Sequence, residues 1–172
     1  MPITYTSGEQ VEVYRFNWPI TIGVPATALF LQAWLPRHLS FFAMLDLPLL
    51  VTIFFGVARR NPAVGAVTGA IIGLAQDAMT HNYLGLFGIA KTFVGYGASS
   101  LATKIDVENI GSRFLITIGF YFIHRIAYLL VQHGMVQQNA PVNWLHSLGA
   151  ALANGLLAIV VFAILDKFKQ RA

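Results

Sequence analysis

Residues 61–96 read NPAVGAVTGAIIGLAQDAMTHNYLGLFGIAKTFVGY, and their spacing decides the fold. Gly65, Gly69 and Gly73 recur every four residues through an apolar run, so they share one face of a helix. Small residues at that spacing let two backbones approach closely in lipid, where van der Waals packing replaces the hydrophobic drive between helices. The run reaches Asp77, a polar turn follows, and a second apolar run carries Lys91, with Gly95 and Ser99 giving it a small face of its own. Packing of these two runs against each other is expected in preference to self-dimerisation. Contact between the two faces would bring Asp77 to the turn, where it caps the hairpin.

Composition makes this hairpin part of a membrane protein. The chain is 56% hydrophobic and only 10% charged, whereas soluble domains are about 45–50% apolar and about 25% charged. The apolar runs are continuous, which fits helices and not the alternating strands of a β-barrel. Cysteine is absent, so disulfides and thiolate metal sites are excluded. The net charge of +4 is dispersed, not gathered into a patch, so it reads as topology-setting charge beside lipid and not as a nucleic-acid surface.

Spans of about 20 apolar residues fall at 18–35, 39–58, 62–79, 84–103, 113–132 and 144–165. The expected fold is all-α, a six-transmembrane-helix bundle forming a single membrane domain over 1–172. Residues 1–17 form an N-terminal segment, 18–166 the helices and 167–172 a tail. The N-terminal segment has the polar residues Glu9, Glu12 and Arg15 where a signal peptide would be apolar. Its alternating pattern reads as chance in a mobile tail, in preference to a segment that docks on the cytoplasmic surface or binds a partner, and residues 104–112 and 137–143 read as connectors. Arg15, Arg59, Arg60, Lys104, Arg113, Lys167, Lys169 and Arg171 fall on one side of this layout, against Arg37 alone on the other. The bias places both termini in the cytoplasm.

The second span is ambiguous. Asp46-Leu47-Pro48 has the form of a helix start, Asp as N-cap and Pro in the first turn. A helix starting there would be too short to cross, so a longer helix from residue 39, kinked at Pro48, is preferred.

Five ionisable residues fall at membrane depth: Asp46, Asp77, Lys91, His124 and Arg125. Each unpaired Asp, Lys or Arg at mid-helix costs about 2.5–3.5 kcal/mol, so four facing lipid would cost on the order of 10 kcal/mol. They must face protein or water, and ion pairs that fix helix assembly are favoured over a proton path. Tyr121, His124, Tyr128 and Gln132, with Arg125 beside them, form a polar stripe on the fifth helix. No pair of His or acids has metal-ligand spacing, and neither a Gly-x-Ser-x-Gly elbow nor a phosphate loop occurs. No metal, cofactor or catalytic residue is expected.

The run Leu45-Asp46-Leu47-Pro48, the basic Arg59-Arg60-Asn61-Pro62, the Gly65–Gly73 ladder, Leu74-Ala75-Gln76-Asp77, Tyr83-Leu84-Gly85-Leu86 and the helix closing at Tyr96 together resemble the MreD family. That family belongs to the bacterial rod-shape machinery. The resemblance covers residues 45–96 well and the remainder in hydropathy alone. It implies a fold similar to the substrate-binding subunits of energy-coupling factor (ECF) transporters. It also implies a non-enzymatic scaffold of the bacterial inner membrane, acting in cell shape and lateral peptidoglycan synthesis. The implied partners are an MreC-type protein, the RodA and penicillin-binding transpeptidase complex, and MreB. The alternative is a subunit binding a vitamin-type substrate for transport. Lys91 and the His124–Arg125 pair stand outside the family pattern.

Overall fold

The computed structural model describes residues 14–80, 83–105, 107, 109–136 and 143–171, so the readings made for residues 1–13, for the turn at 81–82 and for the loop at 137–142 lie outside the described residues. Six α-helices follow one another: α1 (Trp18–His38), α2 (Leu47–Arg59), α3 (Pro62–Thr80), α4 (Leu86–Ala102), α5 (Ile110–Val136) and α6 (Trp144–Asp166). Four of them, α1, α3, α5 and α6, are long and apolar enough to cross a membrane.

The second span differs from the kinked helix expected over 39–58. Ser40–Met44 form a 3-10 turn, Leu45 is extended, and α2 begins only at Leu47. Its 13 residues rise about 20 Å, short of the roughly 30 Å hydrocarbon core. The reason is burial. Every residue from Pro48 to Gly56 is buried, as expected of a helix apolar all round. Helices α1, α3, α4, α5 and α6 all pack on it. A helix wrapped in protein is not obliged to match the thickness of the bilayer, and a broken backbone is tolerated where protein covers it.

The α3–α4 hairpin is the most tightly joined pair. A methyl group on Gly69 would strike the carbonyl oxygen of Lys91, one on Gly73 the carbonyl of Phe87, and one on Gly65 the carbonyl of Gly95. The reverse also holds, since a methyl on Gly95 would strike the Gly65 carbonyl. The two helices therefore run antiparallel with backbone on backbone, which only glycine permits.

The described end of the N-terminal segment, residues 14–17, is docked on the bundle, as the alternative to a mobile tail has it. A two-residue strand, β1 (Tyr14–Arg15), pairs antiparallel with β2 (Gln170–Arg171), Tyr14 opposite Arg171. Phe16 then packs edge-on against Phe55, with ring centroids 5.0 Å apart, and against Phe54 at 5.7 Å. Both ends of the helical bundle thus lie on one side. Arg113, at the start of α5, pairs there with Asp166 at the end of α6.

Candidate functional site

The break before α2 frees backbone groups that a continuous helix would have satisfied, and polar side chains from two distant helices take them up. Asn154 of α6 accepts from the Asp46 amide at 2.9 Å and donates to the Met44 carbonyl at 3.0 Å. Gln32 of α1 accepts from the Leu47 amide at 3.0 Å and donates to the Leu45 carbonyl at 2.9 Å. Asp46 caps the new helix, its Oδ1 accepting from the Leu49 amide at 2.9 Å.

The second oxygen of Asp46 receives Lys91. Lys91 Nζ lies 2.7 Å from Asp46 Oδ2, and the Lys91 side chain is fully buried. Its remaining donors face His124 Nε2 at 3.4 Å and the Phe87 ring, whose centroid is 5.0 Å away. An ammonium has no acceptor atom, so His124 meets it through a lone pair, and the imidazole proton belongs on Nδ1. Phe87 in turn stacks on the His124 ring at 5.7 Å and lies 4.9 Å from Tyr128. Helices α2, α4 and α5 are cross-linked at this point.

Next to the ion pair lies a cavity of about 200 Å³, lined by Gln32, Gln76, Tyr121, His124, Arg125, Tyr128 and the Ala43–Asp46 segment among others. Gln76 Oε1 and Arg125 Nε are buried without a hydrogen-bond partner. Arg125 makes no ion pair among the described residues. The polar stripe of the fifth helix thus divides. Tyr121, His124, Arg125 and Tyr128 line this cavity, and Gln132 does not.

The family model of the rod shape-determining protein MreD matches residues 14–171, nearly the whole chain. The chain belongs to the MreD family. Its role is therefore in rod-shape determination, and its apolar helices are those of a membrane protein. Comparison with curated proteins and with solved structures finds no match.

The segments that resemble MreD proteins build the hairpin and the break. Asp77 is completely buried and accepts three backbone N–H groups from the α4 start, Gly85 at 2.9 Å, Phe87 at 3.1 Å and Gly88 at 3.2 Å. Gly85 stands at φ 105°, a left-handed conformation that favours glycine. Three groups central to this MreD-family site were missed in the sequence: Gln32, Gln76 and Asn154. Each is a neutral polar residue inside an apolar run, and buried amides in lipid need partners as charges do.

Proposed function

We propose that this MreD-family chain is a non-enzymatic scaffold of the bacterial inner membrane, with six crossings and both termini in the cytoplasm. It holds an MreC-type protein and through it the RodA and penicillin-binding transpeptidase complex, with MreB on the cytoplasmic side. The observation that carries this reading is the family match over residues 14–171.

The local chemistry supports a structural role for the buried charges. Lys91 is spent on Asp46 and closed from water, and Asp77 is spent on the α4 amides. Neither group is free to exchange protons with a substrate. A groove of about 630 Å³ between α1 and α3 supplies a surface for an apolar partner helix, with Ile22, Pro25, Val67 and Ile71 along it. Val67 and Ile71 are 59% and 63% exposed, although α3 otherwise packs its glycine face inward. The single membrane helix of an MreC-type protein is the occupant we assign to it.

The transporter alternative has less support. Pockets that enclose drug-sized ligands hold about 300–1,000 Å³ and orient the ligand with a few polar groups; the polar cavity holds about 200 Å³, and the grooves of about 630 and 360 Å³ are lined mostly by apolar side chains. The similarity to ECF transporter subunits remains part of the proposal.

Depletion of the protein in a rod-shaped host, followed by rescue, tests the reading. Wild type should restore rods and co-purify an MreC-type protein. The Val67→Lys/Ile71→Lys variant should lose both while still inserting and folding. Unaltered cell shape on depletion would overturn the scaffold role, and undiminished co-purification by the variant would overturn the assigned groove.

A further inference from the structure

We propose that the cavity beside the Lys91–Asp46 pair is a binding site for an oxyanion that carries a hydrogen-bond donor, the chemistry of a phospholipid headgroup such as phosphoglycerol. The site is independent of the partner groove: its lining comes from the inner faces of α1, α3, α4 and α5 and from the broken segment before α2.

Charge gives the first argument. Asp46 and Arg125 line the cavity, and Lys91, behind the lining, pairs with Asp46 at 2.7 Å. The Arg125 guanidinium is left without a counter-charge among the described residues, its Nε buried and unpartnered. Arg125 as a residue is only partly buried, and a charge at membrane depth, even a partly exposed one, is costly unless it is paired or meets water. The guanidinium fork matches phosphate and carboxylate oxygens in two parallel bonds, so an oxyanion is the complementary group.

Gln76 gives the second, independent argument. It is 4% exposed, lines the same cavity, and its Oε1 has no donor. An anion alone would leave this acceptor empty. A ligand bearing a hydroxyl next to its oxyanion satisfies both groups at once. Tyr121 and Tyr128 add hydroxyls on the α5 side.

Size sets the limit. The cavity, about 200 Å³, has room for about six or seven waters at roughly 30 Å³ each. That suits a headgroup and leaves acyl chains to lie outside among the helices. Asp46 and Gln32 are held by the helix break, so the anion must sit toward Arg125 and away from the Asp46 carboxylate.

The test uses the full-length chain, delipidated in detergent, with native mass spectrometry and thermal melting as readouts. The probes are phosphatidylglycerol, phosphatidylcholine, soluble glycerol phosphate and inorganic phosphate. Wild type should retain phosphatidylglycerol over phosphatidylcholine, which has the phosphate but no donor. Arg125→Gln should weaken retention at least tenfold, about 1.4 kcal/mol, and Gln76→Leu should narrow the preference between the two lipids. Arg125→Lys keeps the charge but loses the fork, and should recover part of the affinity. Stabilisation by glycerol phosphate in wild type, competing with the lipid, would place the recognition in the headgroup, and its absence would place it in the anchored lipid. Should Arg125→Gln fail to fold, the wild-type lipid preference and the Gln76→Leu variant decide. No stabilisation or adduct with any oxyanion probe overturns the proposal, as does retention unchanged in both variants.

Discussion

Lys91 is a four-carbon stem whose charge has no route to water, and its three donors meet a carboxylate, an imidazole lone pair and a ring face. Such a pair adds little net stability over an apolar replacement, but breaking it leaves an uncompensated buried charge. Lys91→Met should therefore destabilise strongly, toward the lower end of about 3–5 kcal/mol because the Asp46 side chain keeps 13% exposure. Asn serves nearly as well as Asp at an N-cap, so adding Asp46→Asn to Lys91→Met should recover most of the loss. Equilibrium unfolding in detergent separates the cases. A double variant no more stable than the single would mean that the pair does not act as one unit. The residues of this cluster were visible in the sequence as costly charges in apolar runs, but their pairing was not. Asp46 and Lys91 stand 45 positions apart, and no local spacing encodes which distant acid a membrane lysine meets.

At the scale of elements, glycine spacing was the legible signal. The every-fourth-residue ladder on α3 reads directly as a face that another backbone can approach, and α4 occupies it with carbonyls against Cα positions. Gly69→Ala should cost about 1–3 kcal/mol, because the obstructing atom is the Lys91 backbone oxygen and cannot rotate aside. Gly119→Ala on α5, where nothing lies within 4 Å, is the control and should cost nothing. Equal melting of both variants would refute backbone contact between α3 and α4. The Asp77 cap gives a second test. Asn in its place keeps one acceptor oxygen where three N–H groups converge, so the Gly85, Phe87 and Gly88 amides should exchange faster with deuterium while α5 is unaffected. The start of α2 was half legible. Asp-Leu-Pro signalled a cap, but the length of the bilayer argued for a longer helix. That argument assumes a helix facing lipid, and α2 is wrapped by five others. Burial of this kind is a property of the assembled bundle, because a run that is apolar all round reads alike whether lipid or protein surrounds it.

For the whole molecule, the segments that flank the helices, Tyr14–Arg15 before α1 and Gln170–Arg171 after α6, are tied together as β1 and β2, with the Lys169 ammonium 4.5 Å from the Tyr14 ring. That clip requires an even number of crossings between Tyr14 and Gln170. Four helices qualify as spans by length, and α2 and α4 fall short, so four and six crossings make different claims about where α2 delivers the chain. The absence of cysteine allows a direct answer. Single cysteines at Ser40, Asn61, Tyr83 and Thr103, all exposed on the connections between helices, can be offered a membrane-impermeant maleimide in intact cells. Six crossings with cytoplasmic termini predict labelling at Ser40 and Tyr83 and protection at Asn61 and Thr103. The positive residues around Arg59, Arg60, Lys104 and Arg113 would then face the cytoplasm, in accord with the charge bias. Labelling at both Ser40 and Asn61 would mean that α2 enters and returns without crossing, its short length being a true re-entrant segment. The reversed pattern, with Asn61 and Thr103 labelled, would invert the protein. It would put the β1–β2 clip outside the cell and remove any cytoplasmic surface there for a filament to meet.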